Sequence, residues 1–167
     1  SVTDDGLGQL LADVARYIAH WPIRVRGTFA GSLAHADPAS EWCLVAVTLD
    51  AEIIVLGPRG KRSVSASEFF LGGFRTAVAN DEAIVEVNLP LLGRGASFGF
   101  AEFSRRTGDF ALAMSLSVIW LDESGLIERA LVGIGGVESR PVRVRDAETA
   151  LRGQAPSSRL FGQIAEI

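Results

Sequence analysis

The sequence predicts an α+β fold, mainly antiparallel sheet with helices grouped on one side. Short apolar or alternating runs meet at tight turns around 57–60 and 122–125, which is a hairpin pattern. Helical spacing is concentrated near the two ends, at 7–20, 38–49 and beyond 146. With 48% apolar and 22% charged residues, a chain of 167 can bury a sizeable core in one domain or in two small ones sharing it.

Taken in order, residues 7–20 set Leu7, Leu10, Leu11, Val14, Ala15 and Ile18 at helical spacing, with Asp13 and Arg16 turned outward. Thr3 to Asp5 offer N-caps, and Pro22 ends the helix. Ile23 to Arg26 alternates and reads as extended. Residues 38–49 (PASEWCLVAVTL) predict a helix buried on one side, with Pro38 in its first turn and Asp37 as N-cap. Residues 52–56 and 61–65 form a hairpin around Gly57-Pro58-Arg59-Gly60. One helical turn at 66–71 ends at Gly72-Gly73, and a strand at 83–89 is closed by Pro90. Leu92-Gly93-Arg94-Gly95 reads as a joint, dividing the chain into units 1–92 and 96–167.

Residues 97–104 alternate, with Phe98, Phe100 and Phe103 inward. A long hairpin runs from 110–121 through the turn 122–125 to 126–135. The Gly135-Gly136 pair favours strand over helix for the return. Residues 142–145 form a short strand. Asp146 caps a helix through Leu151, and Ser157 or Ser158 caps the last one.

The functional stretch is 27–41 (GTFAGSLAHADPASE). Gly27, Gly31, Thr28 and Ser32 suit a polar loop whose free N–H groups face an anion, at the positive end of the following helix. The plainer reading is a capped helix after an ordinary loop. His35, Asp37 and Glu41 lie within seven residues and could do acid–base chemistry, with Arg105 or Arg106 stabilising negative charge. Each also has a structural alternative. His35 suits a hydrogen-bonded loop residue, Asp37 a cap, and Glu41 a first-turn acid favoured by the helix dipole. Arg105-Arg106 suits a solvated edge or an ion pair with Asp109. Cys43 reads as a buried apolar residue. His20 and His35 with one cysteine make no zinc set, so no metal is expected.

The net charge of −4, without a basic patch joined to aromatics, argues against a nucleic-acid surface. No apolar run approaches a membrane span, and no leader opens the chain. A single cysteine points to a reducing cytoplasm. Ser1 to Asp5 reads as a tag remnant ahead of a native start, which would make the chain a whole gene product.

Four segments together resemble the flavin-binding medium subunit of molybdenum hydroxylases, the family of carbon monoxide and xanthine dehydrogenases. They are IRVRGTFAGSLAHADPASE (23–41), SEFFLGGFRTAVANDEAIVEVNLP (67–90), FSRRTGDFALA (103–113) and VGIGGVESRPVRV (132–144). The resemblance implies the second, antiparallel FAD-binding subdomain followed by a small C-terminal domain of sheet and helices. It implies that Thr28, Gly31 and Ser32 approach the FAD pyrophosphate and that Glu41 accepts hydrogen bonds from the flavin's sugar-like chain. Arg105, Arg106 and Asp109 neighbour the flavin edge. The family loop usually reads Thr-Ile-Gly-Gly, so Phe29 and Ala30 are departures, and a Cβ at Ala30 is expected to oppose a positive φ. No segment matches the family's first FAD subdomain, and the C-terminus is expected to stop short of the last helices.

Three readings follow. The first is FAD binding and electron transfer between an iron–sulfur partner and an acceptor, with a partner chain supplying the missing subdomain. The second is a cofactor-free descendant, such as a cyclase or isomerase of secondary metabolism, using the vacated crevice beside Ser32 and Glu41 for a small molecule. The third is a homo-oligomeric assembly module formed through an exposed apolar surface.

Overall fold

The computed structural model describes residues 6–167. The expected caps at Thr3 to Asp5 lie outside the described residues, and α1 (Leu7–Ala15) starts from Gly6 at φ 80. It stops at Ala15, short of the predicted end. Where an extended segment was expected, α2 (Trp21–Arg24) forms a single turn with Pro22 at its start. Proline's fixed φ and missing N–H fit a first helical turn, so Pro22 begins a helix here. Arg24 Nη1 closes the bend by donating to the carbonyls of Ile18 and Ala19 at 2.7 and 2.6 Å.

The expected glycine loop contains a helix, α3 (Phe29–His35), capped by Thr28. A turn follows, in which the Asp37 carboxylate accepts the Ala39 N–H at 2.9 Å. Asp37 therefore caps its own turn, and Ser40 is the N-cap position of α4 (Glu41–Thr48). Every residue of 43–49 is buried. The one-sided helix expected here is buried on both sides, as suits a run with no polar stripe.

The first sheet has the order β2-β1-β5. Strands β1 (Glu52–Gly57) and β2 (Gly60–Ser65) form the expected hairpin, with Gly57 facing Gly60. The chain then passes through the short helix α5 (Ala66–Phe69) and the small ribbon of β3 (Phe70–Gly72) and β4 (Arg75–Thr76). It returns beside β1 as β5 (Ala83–Asn88). One face of this sheet meets Leu33, Cys43, Ala46 and Val47 in a core with Phe69 and Phe70.

The second sheet is a four-stranded antiparallel meander of β6 (Ala96–Phe103), β7 (Ala113–Leu121), β8 (Ile127–Gly135) and β9 (Val142–Arg143). Phe98 and Phe100 point inward as expected. Phe103 is 67% exposed, because an odd offset along a strand puts it on the opposite face. β7 starts three residues later than expected, and Phe110 is exposed. The helix α6 (Arg145–Leu151) is capped at Val144, with Asp146 in its first turn. Ser157 caps α7 (Ser158–Ile164) by accepting the Leu160 N–H at 3.1 Å.

The two sheets share α4. Its residues Cys43, Ala46 and Val47 enter the first core, while Leu44, Val45 and Leu49 join Leu10, Val14, Met114, Leu116 and Val118 in the second. The helix approaches β8 so closely that a Cβ on Gly133 would lie 1.9 Å from Thr48 Oγ1 and 2.9 Å from Leu44 Cδ1. An ion-pair network anchors the far end of α4. Arg143, with its side chain 7% exposed, holds Glu148 through Nε and Nη2 at 2.7 and 2.5 Å and also pairs with Asp50. Glu148 Oε1 further accepts the Val132 N–H at 3.0 Å. Across the joint, Trp120 Nε1 donates to the Leu92 carbonyl at 2.8 Å.

Two substitutions test this junction by urea unfolding. Gly133→Ala forces α4 off the sheet and should destabilise by about 1–3 kcal/mol or more, whereas an alanine at the open position Gly99 should not meet such a clash. Arg143→Met leaves Glu148 with only Arg145, at 3.6 Å, and the Val132 N–H as partners and should cost about 1–3 kcal/mol. Asp50→Asn, at a carboxylate 49% exposed, should cost less than about 1 kcal/mol.

Candidate functional site

The starts of α3 and α4 lie side by side. The Phe29 and Trp42 rings are 5.1 Å apart, and Cys43 Sγ donates to the Ser32 carbonyl at 3.4 Å. At the start of α3, Thr28 Oγ1 accepts the Gly31 N–H at 3.0 Å. The Gly31 amide is thus already committed, which corrects the expectation that it faces an anion freely. The N–H groups of Phe29 and Ala30, in the first turn, have no intrahelical acceptor and are the ones geometry leaves open. A Cβ at position 31 would sit 2.7 Å from the Thr28 hydroxyl, so a side chain there has to displace that hydroxyl. Ala30 lies within the helix, so the strain expected from its Cβ does not arise.

Glu41 opens α4 and is partly buried. Burial is the main cause that pushes its carboxyl up to about 7, and the charges of Glu102 and Asp37 add to it. Glu102, on β6, is raised as well, by burial. Its Oε2 is enclosed and has no hydrogen-bond partner among the described residues. Burial likewise pushes the Cys43 thiol up to about 12, the reverse of an activated nucleophile.

The three acid–base candidates do not converge. His35 is exposed at the far end of α3, with its ring 5.1 Å from Phe74. Asp37 is partly buried but engaged in its own turn, and Glu41 is partly buried at the start of α4. Arg105, Arg106 and Asp109 are exposed in the loop between β6 and β7, and among the described residues no ion pair joins either arginine to Asp109. The loop is fastened by backbone instead, with Asp109 N–H to the Arg106 carbonyl at 3.0 Å and Leu112 N–H to that of Phe103 at 2.8 Å.

Two residues were missed in the sequence. Glu102 shares the parity of Phe98 and Phe100, so the alternation that places those rings inward also turns this carboxylate inward. His20 lies against Gly108, where a Cβ would come within 2.3 Å of its ring, and nothing local signals that long-range contact.

A cavity of about 650 Å³ lies on the outer face of the second sheet, between Ser97, Gly99 and Ser117 on the strands and Leu151 and Phe161 on α6 and α7. A shallower one of about 510 Å³ lies beside Arg16, Trp21 and Arg24. Neither is lined by Thr28, Gly31, Ser32 or Glu41, so the hollow expected beside Ser32 and Glu41 is not one of them. Among the described residues no group of three or more His, Cys, Asp and Glu is placed to hold a metal ion, and no helix is long and apolar enough to cross a membrane.

A carboxyl raised on folding binds its proton more tightly in the native state. Glu41 should therefore lower stability as pH rises from about 4.5, its ordinary value, to about 7, with no further loss above. Glu41→Gln should flatten that segment of a stability–pH profile and stabilise the protein at pH 8, by no more than about 3 kcal/mol.

Residues 5–92 match the FAD binding domain in molybdopterin dehydrogenase, and residues 98–167 match the CO dehydrogenase flavoprotein C-terminal domain. The chain is 41% identical over 142 residues to the 6-hydroxypseudooxynicotine dehydrogenase complex subunit alpha of Paenarthrobacter nicotinovorans, covering 85% of this chain and 48% of that protein. It is 31% identical over 154 residues to the carbon monoxide dehydrogenase medium chain of Hydrogenophaga pseudoflava, covering 92% and 50%. The structure of quinoline 2-oxidoreductase from Pseudomonas putida 86 superposes with a TM-score of 0.88 at 32% identity, over 98% of this chain and 57% of that one. The chain thus spans about half the length of the curated relatives it matches. Nothing in these similarities favours a cyclase or isomerase. Two consecutive family matches and a superposition over nearly its whole described length place the chain in the family of FAD-binding medium subunits of molybdenum hydroxylases.

Proposed function

We propose that the chain holds part of an FAD site and serves electron transfer within a multi-subunit hydroxylase, passing electrons between an iron–sulfur partner and an acceptor. A partner chain or further segment completes the phosphate-binding side. The observation that carries this reading is the pairing of two helix starts, one with open N–H groups and one with a partly buried carboxylate, inside a family whose model is an FAD-binding domain. The donor set fits the group. First-turn amides of α3, at the positive end of the helix, suit the pyrophosphate, with Thr28, Gly31 and Ser32 shaping that turn. Glu41 is an acceptor for the hydroxyls of the sugar-like chain in this reading. Arg105, Arg106 and Asp109 neighbour the flavin edge in this reading. When bound, FAD supplies one- and two-electron transfer, and this chain contributes its binding and charge environment.

The test is direct. The purified chain should show a flavin absorbance spectrum, or bind added FAD in a fluorescence titration. Gly31→Ala, which displaces the Thr28 hydroxyl, should weaken binding by about tenfold or more and cost about 1 kcal/mol of stability. Colourless protein that takes up no FAD, whether alone or assembled with its partner chain, would overturn the proposal.

A further inference from the structure

The corner where α2 meets the loop between β6 and β7 combines exposed rings with unpaired cations. Its two parts are in contact. The His20 ring lies against Gly108, whose φ of 86 turns the loop there, and the Tyr17 and Phe100 rings meet edge to face at 4.8 Å. Residues 16–26 and 104–110 hold five arginines against one carboxylate, Asp109, in a chain whose net charge is −4. Arg24 is engaged by the Ile18 and Ala19 carbonyls. Arg16 meets only Asp13, at 3.9 Å and largely in solvent. Among the described residues Arg26, Arg105 and Arg106 have no ion pair. Large apolar side chains stand among these cations: Trp21 is 70% exposed and Phe110 76%, and Ile23 and Val25 are exposed as well. Trp21 and Val25 also line the hollow of about 510 Å³ beside Arg16.

We propose that this corner is the docking face for an acidic one-electron carrier protein, the acceptor of the electron-transfer reading above, on which the inference rests. Exposed tryptophan flanked by arginine is the composition of an interface centre, and the hollow beside Trp21 offers a seat for an apolar side chain of the partner. Charge selects the partner's sign. Cations gathered at one corner of an otherwise acidic chain steer an acidic protein to that corner. A small anion would leave the apolar side chains uncovered, whereas a protein surface covers both. Location selects the kind of protein, because the same loop carries Arg105 and Arg106, which that reading sets beside the flavin edge. Two carrier molecules each accept one electron for every reduced flavin returned to FAD, and the two protons released pass to water.

The experiment is a calorimetric titration of the full chain, and of its assembled complex, with a bacterial flavodoxin, a small acidic one-electron carrier. Docking should be seen at about 20 mM salt and weaken about tenfold or more at about 200 mM. Arg16→Glu with Arg26→Glu should weaken it about tenfold or more at low salt, and Trp21→Ala about fivefold or more. Arg59→Glu with Lys61→Glu makes the same charge change at the exposed β1–β2 turn and should alter docking by less than about twofold. No docking at low salt, or equal losses from the two charge-reversed pairs, overturns the inference. Docking to the chain alone that vanishes in the complex also overturns it, since the corner then belongs to the chain that completes the site. So does loss of FAD uptake in the Arg16→Glu, Arg26→Glu variant, which would give these arginines to the cofactor's phosphates. Failure of the FAD reading shows separately, as a colourless wild-type chain, and the salt and charge-reversal results then still decide whether the corner docks an acidic protein.

Discussion

The burial of α4 on both sides is the constraint on which the rest depends. An eight-residue helix is too short to be stable alone, and this one has no polar stripe to present to water. It forms because the first sheet covers Cys43, Ala46 and Val47 while the second covers Leu44, Val45 and Leu49. Neither sheet completes its core without it. The glycine at 133 and the Arg143–Glu148–Asp50 network exist at the places where this helix must lie close to the second sheet and end.

That constraint also positions the site. Because α4 is fixed from both sides, its first residue, Glu41, is fixed as well. The turn before it rests on the end of the β7–β8 ladder through Pro38 and Gly136. The start of α3 is brought alongside by the Phe29–Trp42 and Ser32–Cys43 contacts. The first-turn amides of α3 and the Glu41 carboxylate therefore share one edge, although they come from separate helices. Burial is the main cause that raises the Glu41 carboxyl at this edge, with the charges of Glu102 and Asp37 adding to it.

Much of the fold was legible locally. The 52–65 hairpin, the strand at 83–89 and the long hairpin ending at Gly135 follow from turn residues and period-two patterning, which need only near neighbours. The misread elements were those in which a short polar motif admits two backbones. Thr28-Phe29-Ala30-Gly31 supports an anion loop or a capped helix equally well by composition, and packing of Leu33 into the first core decides for the helix. Pro22 similarly can end one helix or begin another. Of the candidate residues, Thr28, Gly31 and Glu41 lie at two adjoining helix starts, whereas His35 lies at the other end of α3 with its ring against Phe74.

The sequence by itself determined the class of fold, the order of the strands and the family, since patterning, turn chemistry and four collinear segments are properties of the chain read in order. Only the tertiary structure decided which groups meet. That α4 is enclosed on both sides and that His20 lies against Gly108 both depend on contacts between residues far apart in sequence. Such contacts follow from how the two sheets pack around one helix, and hydrophobic periodicity reports that a face is buried without reporting against what.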